Sequence, residues 1–583
     1  MQPRDKHTLE STPQRHRERT GPDRDALRAK MAACGRAPQF LLIGPYDPHG
    51  GEYTFLAPPL GVWRLAGHLS SRDVVATVFD PNCCTRPVVR ELADALRERR
   101  WDLVGISTTA MTLRYDLQLA HLVKQLCPHA ILVAGGMEAT FNPERLFGLG
   151  PFDLVVLGEG EKPLTAIAAR LCAGADLCNI PGTVTRTREG VVARLRAAAL
   201  TREELRDAIA TTPYERMPYS RYWERLQKAY QLGALPFKAD REARLAEIRS
   251  VRLNTLNYCP MACSFCSSTN FLHEAQGSVA RVARLEAQEC LTMIHRILAA
   301  QPDTRTVIFQ DDIFVFTQDR RILPLCAAIV AAKENGELPP ALEFISTNRI
   351  DSMTPERLQA MRRAGFRVLG FGVENFSQRV LEEFNKGQIY KHIEPTLRAA
   401  LKEGMTPFLD LILTSPRSSM DDFAQTIRQA YHWIRAGCEV GIYPYVIPFS
   451  GAAVARDPEL APQTVHETVT VPGTAISWRQ ATKILPFDRS VREGILAVEA
   501  RFDRALALLR SEVPHLPSRV RSLLWIACAE PTLRAAGERM PTRQSILTAL
   551  AARLPPSASS VAASLGDFLE PTAPLAVAAG AVV

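Results

Sequence analysis

The chain has 583 residues, 46% of them hydrophobic and 23% charged, with a formal net charge of +8. This is the composition of a globular protein with several cores, without an apolar run of about eighteen residues or a signal-peptide core behind a basic start; no membrane-spanning helix is expected, and the cytoplasm is the expected address. Thirteen cysteines in so long a chain fit a reducing compartment better than a disulfide framework.

Residues 1–37 carry nine Arg or Lys against five acids, have few apolar residues and show no periodicity, so a disordered basic tail is expected. A solvated tail explains it without nucleic acid, which is not expected as a partner. From Pro38 the pattern changes. FLLIGPYD (40–47), VVATVFDP (74–81), DLVGIST (102–108), AILVAGG (130–136) and DLVVLGEGE (153–161) read as short apolar strands, with helical stretches such as 60–69 and 115–126 between them. Such alternation predicts parallel βαβ units with both sheet faces covered. The glycine-rich turns fall at strand C-termini, where an open doubly wound sheet binds a nucleotide or another flat cofactor.

PPLG (58–61), the DLVGIST strand, the AGGMEAT loop (134–140) and the GEGE turn (158–161), in this order and spacing, resemble the cobalamin-binding domain found ahead of one large radical S-adenosylmethionine (SAM) class. The resemblance implies cobalamin contacts from Pro59, Leu60, Gly61, Ser107, Gly135, Gly136, Glu159 and Gly160 in a Rossmann-like domain over residues 38–185. On the residues alone, such a domain without its ligand is also open. So is the role of His49: Asp47-Pro48-His49-Gly50-Gly51 approaches D-x-H-x-x-G, but Glu52 replaces the last glycine, leaving a cobalt ligand or an ordinary loop histidine. PGTVTRTREGVVAR (181–194) reads as a hairpin closing this domain, and residues 186–248 as a linker.

NYCPMACSFCSSTNF (257–271) then sets Cys259, Cys263 and Cys266 in the pattern C-x3-C-x2-C. Three thiolates so close converge on one soft metal centre, and a four-iron four-sulfur cluster held by three cysteines keeps one iron open. A structural zinc site would need a fourth ligand, the nearest downstream imidazole being His273; three unrelated buried thiols are the other alternative. With Phe265 before the last cysteine, the motif resembles that of the radical SAM superfamily, which implies a 4Fe-4S cluster whose open iron takes SAM.

Beyond it, TVIFQDD (306–312), LEFISTN (342–348), RVLGFGVEN (367–375), TPFLDLILT (406–414) and EVGIYPYVIPF (439–449) are predicted strands. With the strand before the cluster they make six, as in a partial (β/α)6 barrel over residues 249–450, with chemistry at the strand C-terminal ends. Gln310, Asp311, Asp312, Ser346, Thr347, Asn348, Glu374, Asn375 and Asp410 are the polar candidates there. FGVENFSQRVL resembles the family's G-I-E-S-x-S-Q-x-V-L segment, which maps its SAM-contacting acid to Glu374; Ser346 is taken as a second cofactor contact. Of Tyr443 and Tyr445, one is expected to face the cavity. Residues 451–555 are expected to be a helical C-terminal region with Trp478 and Trp525 in its core, and 556–583 a disordered tail.

The fold expected is therefore α/β: a Rossmann-like cobalamin-binding domain, a partial radical SAM barrel and a helical C-terminal region. The resemblance implies a 5′-deoxyadenosyl radical enzyme that methylates an unactivated carbon of a small-molecule or peptide substrate, fed by a flavodoxin- or ferredoxin-type donor. Ring rearrangement or cyclisation without methyl transfer, a methylthiotransferase and a noncatalytic cobalamin sensor are the other readings. The methylthiotransferase is disfavoured by the lack of a second three-cysteine motif, Cys83 and Cys84 being adjacent.

Overall fold

The computed structural model describes residues 36–50, 55–186, 192–231, 241–512, 518–554 and 565. Most of the two tails expected to be disordered lies outside the described residues. The first sheet contains β1 (Gln39–Ile43), β2 (Val75–Phe79), β3 (Leu103–Ser107), β4 (Ile131–Gly135) and β5 (Leu154–Val156), all parallel, followed by antiparallel β6 (Thr183–Arg186) and β7 (Val192–Arg194). The strand order is β2-β1-β3-β4-β5-β6-β7. Alternate residues of β1 enter opposite cores: Leu41 and Ile43 join Leu92 and Leu117, whereas Phe40 and Leu42 join Ala66 and Ile167. Burial on both faces explains the unbroken apolar strand sequences. The expected hairpin is β6–β7, and it extends the sheet past the β5 edge.

The second sheet holds β8 (Ser250–Leu253), β9 (Thr306–Phe309), β10 (Glu343–Asn348), β11 (Phe366–Glu374), β12 (Thr406–Ile412) and β13 (Glu439–Tyr443), parallel and in sequential order from edge to edge. Each strand turns one set of alternate side chains toward the helices. Phe309 stacks on Phe314 with ring centroids 4.1 Å apart, and Phe344 and Phe366 pack into the same aromatic cluster. This is the expected six-strand partial barrel.

The stretch read as a linker is well anchored. The helix Tyr219–Gln231 places Tyr222 so that its hydroxyl donates to both oxygens of the buried Asp80, at 2.9 and 3.1 Å. The Tyr214 hydroxyl donates to the carbonyl oxygen of Arg252 at 3.0 Å and the Tyr219 hydroxyl accepts from its N–H at 3.1 Å, tying the same stretch to β8.

The C-terminal region departs from expectation. It contains the helices Arg489–Glu512, Ser518–Ala535 and Arg543–Ala551, but also an antiparallel hairpin of β14 (Thr464–Thr470) and β15 (Ser477–Ile484). Polar residues on both faces of these strands hide the period-two signal, leaving only the turn around Gly473, at φ +76°, as a local sign. Trp525 is a core residue, stacked on Phe502 at 4.0 Å. Trp478, expected in the core of this region, is instead partly buried with Val471 and Ile476 against the first domain.

Replacing Tyr222 by Phe removes a buried hydrogen bond to a carboxyl group, and should cost about 1.5–3 kcal/mol. A urea titration followed by fluorescence should show a lower midpoint at unchanged slope.

Candidate functional site

The strand order of the first sheet reverses at β1 and β3, which opens a crevice at the strand C-terminal ends. A cavity of about 310 Å³ lies there, and Pro59, Leu60, Gly61, Ser107, Gly135, Gly136, Glu159 and Gly160 all line it. A Cβ on Gly61 or Gly135 would meet nothing within 4 Å, so side chains at these positions would project into the cradle itself. Gly136 is needed for a different reason: its φ is +95°, and a Cβ would sit 2.7 Å from the Thr108 carbonyl oxygen. Arg64 reaches in from the helix Leu60–Ser70 and pairs with Glu161 at 2.6 Å. Burial, with Glu161 beside it, pushes the Glu159 carboxyl up. A mostly apolar cradle with a few polar groups and open backbone fits a large flat cofactor. His49 is not among the lining residues; its Nε2 lies 3.0 Å from the Tyr115 hydroxyl.

Two further lining residues, Asn257 and Phe271, come from the thiol loop of the second domain. Asn257 is fixed by accepting from the Ala283 N–H at 2.9 Å and donating to the Arg281 carbonyl oxygen at 3.1 Å. The cradle therefore borders the loop that carries Cys259, Cys263 and Cys266. Cys263 is buried and the other two partly so. Burial raises all three thiols, Cys259 to about 12, with Asp312 and the neighbouring cysteines adding to the rise at Cys259. Among the described residues no three His, Cys, Asp or Glu side chains are set to hold one metal ion. His273, the imidazole nearest in sequence, packs edge-on against Tyr258 with centroids 5.5 Å apart. The donor set available is thus three thiols from one loop, which suits a cluster that takes one thiolate per iron.

That loop is fastened along the segment 383–386. Ser264 donates from its N–H to the Phe384 carbonyl oxygen at 2.9 Å and from its hydroxyl to that of Glu383 at 3.1 Å, and Asn385 Nδ2 donates to the Ala262 carbonyl oxygen at 2.8 Å. Phe265 lies edge-on to Phe384 with centroids 5.0 Å apart. Asp311 holds the start of the loop, accepting from the N–H groups of Thr255 at 2.6 Å and Leu256 at 3.0 Å and from the Thr255 hydroxyl at 2.5 Å. Its place is structural, and burial raises it to about 6.

Glu374 closes β11 at φ +64°, an uncommon conformation for a side-chain-bearing residue. Its Oε1 meets Lys386 Nζ at 2.8 Å above Gly372. Asp410 lies beside this pair, on the face of β12 opposite Pro407, Leu409 and Leu411, flanked in register by Gly372 and Gly441. Burial, then Glu374, raises the Asp410 carboxyl to about 7, while Lys386 opposes the rise. Tyr443 is half exposed at the end of β13, whereas Tyr445, past Pro444, turns away to donate to Glu499 at 2.8 Å. Asn375 serves its own turn, accepting from the Ser377 N–H at 2.9 Å and the Thr426 hydroxyl at 2.9 Å.

Ser346 is a correction. It is only 1% exposed, shares a strand face with Phe344 and bonds Asn348 at 3.2 Å, while Thr347 occupies the open face. Alternation allows only one of two adjacent residues to face inward, and the Ser-Thr-Asn triplet alone does not say which. Lys386 and Arg349 escaped the sequence reading. Their local signals, N-K-G after the G-V-E-N strand and N-R-I after β10, acquire meaning only when the barrel brings both to the thiol loop.

The chain matches two family models, one described as B12 binding domain over residues 48–168 and one as Radical SAM superfamily over residues 253–430. It is 24% identical over 376 residues to an uncharacterized methyltransferase of Pyrococcus horikoshii, covering 64% of this chain and 73% of the relative. It is 26% identical over 246 residues to the cobalamin-dependent radical SAM methyltransferase TokK of Streptomyces tokunonensis, covering 41% of this chain and 31% of that one. The structure of the radical SAM methyltransferase TsrM of Kitasatospora setae, with cobalamin and a [4Fe-4S] cluster bound, has the same fold: TM-score 0.59 at 16% identity, over 86% of this chain and 99% of that one.

Two separable losses are expected. Gly135→Val should narrow the cradle, where a Cβ meets nothing within 4 Å, and lower cobalt content at least about tenfold at limiting cobalamin while iron content is unchanged. Replacing Cys259, Cys263 and Cys266 by Ala should do the reverse, as measured by metal analysis of anaerobically reconstituted protein. Cobalamin, a 4Fe-4S cluster and S-adenosylmethionine are the cofactors that go with these two domains, and the chain combines, in this order, a B12-binding domain and a radical SAM domain.

Proposed function

We propose that this enzyme methylates an unactivated carbon of a small-molecule or peptide substrate. The observation that carries the reading is the shared wall: Asn257 and Phe271 of the thiol loop line the same cavity as Gly135 and Glu159 of the B12 domain. When bound, the cofactors supply hydrogen-atom abstraction on one side of that wall and a transferable methyl group on the other. The protein's part is to hold them in register and keep water out. Cys259, Cys263 and Cys266 are assigned to the cluster, Glu374 to hydrogen bonds from SAM, and the cradle residues to cobalamin. Asp410, on the open face of β12, looks into the reaction space.

The names of the relatives support methyl transfer: the Pyrococcus horikoshii protein and TokK are both called methyltransferases, and TsrM was crystallised with a tryptophan substrate and a SAM analogue. All twelve described cysteines are free of disulfides, and no helix among the described residues is long and apolar enough to cross a membrane. Both agree with work in the reducing cytoplasm, with a flavodoxin- or ferredoxin-type protein as electron donor.

The test is to incubate reconstituted protein with SAM and a low-potential reductant, following 5′-deoxyadenosine and S-adenosylhomocysteine together. Methyl transfer should yield both, with about one cobalt per chain. Deoxyadenosine alone would mean rearrangement or cyclisation, and absence of both would sink the enzymatic reading. Glu374→Gln should weaken SAM binding by about tenfold, near 1.4 kcal/mol, in a direct titration.

A further inference from the structure

Two cations stand against the thiol loop near Cys263, and they differ in how firmly their charge is spoken for. Arg349 donates to Met261 Sδ at 3.2 Å and to the Lys386 carbonyl oxygen at 2.9 Å, and its guanidinium is held in a two-point pair with Asp351 at 2.8 and 2.6 Å. Lys386 is nearly as enclosed, its side chain 11% exposed, with Nζ 5.9 Å from the centroid of the Phe265 ring. Its carboxylate partner is Glu374, at 2.8 Å.

Both cations lie along the thiol loop, Arg349 against Met261 and Lys386 over the Phe265 ring next to Cys266. Arg349 keeps its own counter-ion whatever binds in the barrel. Lys386 shares its counter-ion with the cofactor site, because Glu374 is the residue assigned to SAM. A charge in so enclosed a place acts over several ångströms with little screening by water.

We propose that Lys386 is a positioning residue for the reduction of the iron–sulfur cluster: its ammonium raises the cluster's reduction potential, and does so more strongly when Glu374 is drawn off to another partner. The step is a one-electron transfer. The cluster gains one electron from a low-potential donor of the flavodoxin or ferredoxin type, which is oxidised, and no bond forms or breaks. A reduced cluster is more negative by one charge, so a nearby cation stabilises the product of the step, and a carboxylate that neutralises the cation removes that help. Arrival of SAM at Glu374 would then ease reduction only when the cosubstrate is in place. This inference rests on the assignment of a cluster to Cys259, Cys263 and Cys266 and of SAM to Glu374.

The test is a dithionite redox titration, followed by electron paramagnetic resonance, of the full chain reconstituted with cluster and cobalamin. Lys386→Met should lower the cluster potential, Glu374→Gln should raise it, and Lys386→Arg should keep it near wild type. Opposite shifts for Lys386→Met and Glu374→Gln are what a merely structural lesion would not produce. Shifts of the same sign, or none, overturn the proposal; should Lys386→Met fail to assemble a cluster, Glu374→Gln and Lys386→Arg decide alone. A wild-type chain without a cluster signal would instead overturn the radical SAM reading on which the proposal stands.

Discussion

The two halves of the site meet because the first domain and the barrel approach closely at several points, through backbone and short side chains and through the edge-on rings of Phe141 and Phe271, 6.4 Å apart. Ala197 donates its N–H to the Ala275 carbonyl oxygen at 2.8 Å, and Asn142 Nδ2 donates to the Ser450 hydroxyl at 2.7 Å. A Cβ on Gly158 would sit 2.7 Å from that of Ala275, and one on Gly451 would collide with the Phe141 ring. Close approach of this kind is what lets a loop following β8 become a wall of a cavity at the end of β4. A bulkier interface would part the cofactors and, with them, the chemistry.

The hairpin β14–β15 belongs to the same constraint. Val471, Ile476 and Trp478 lie on the first domain's core, and Gln480 Nε2 donates to the Ala110 carbonyl oxygen at 3.3 Å. At the other end of the ribbon, Ile484 donates its N–H to the Val446 carbonyl oxygen at 3.0 Å, close to β13. The hairpin is thus a strap from the barrel edge to the B12 domain, and its polar sequence follows from having only its tip buried.

Within the barrel the charges are few, buried and mutually dependent. Asp311 spends its lone pairs on the loop that precedes the cysteines, Arg349 is closed by Asp351, and the Glu374–Lys386 pair stands over Gly372 with Asp410 beside it, next to Gly441. Two carboxyl groups, Glu374 and the buried Asp410, set against the single ammonium of Lys386 make a site whose charge responds to what binds in it. Glu374 pays for its place with a left-handed backbone at the end of a strand, which aims its oxygens back over the barrel mouth.

How much of this was legible in the sequence depends on how local each cause is. The cysteine spacing, the glycine turns after β4 and β5 and the alternation of short apolar strands with helices are properties of neighbouring residues, so the two α/β domains could be read directly, and the eight positions proposed for the cradle all line its cavity. Which of Ser346 and Thr347 faces the cavity hangs on the register of β10 between β9 and β11. The hairpin gave no amphipathic pattern because most of it is solvated on both sides. Lys386 is one more lysine after an asparagine until the segment 383–386 is laid along the thiol loop 123 residues earlier in the chain. By itself the sequence determined the elements and the cofactor-binding loops, since short-range sterics and side-chain chemistry suffice for those; only the tertiary structure decided which loops share a wall and which charges share a counter-ion, because both are set by contacts between residues far apart along the chain.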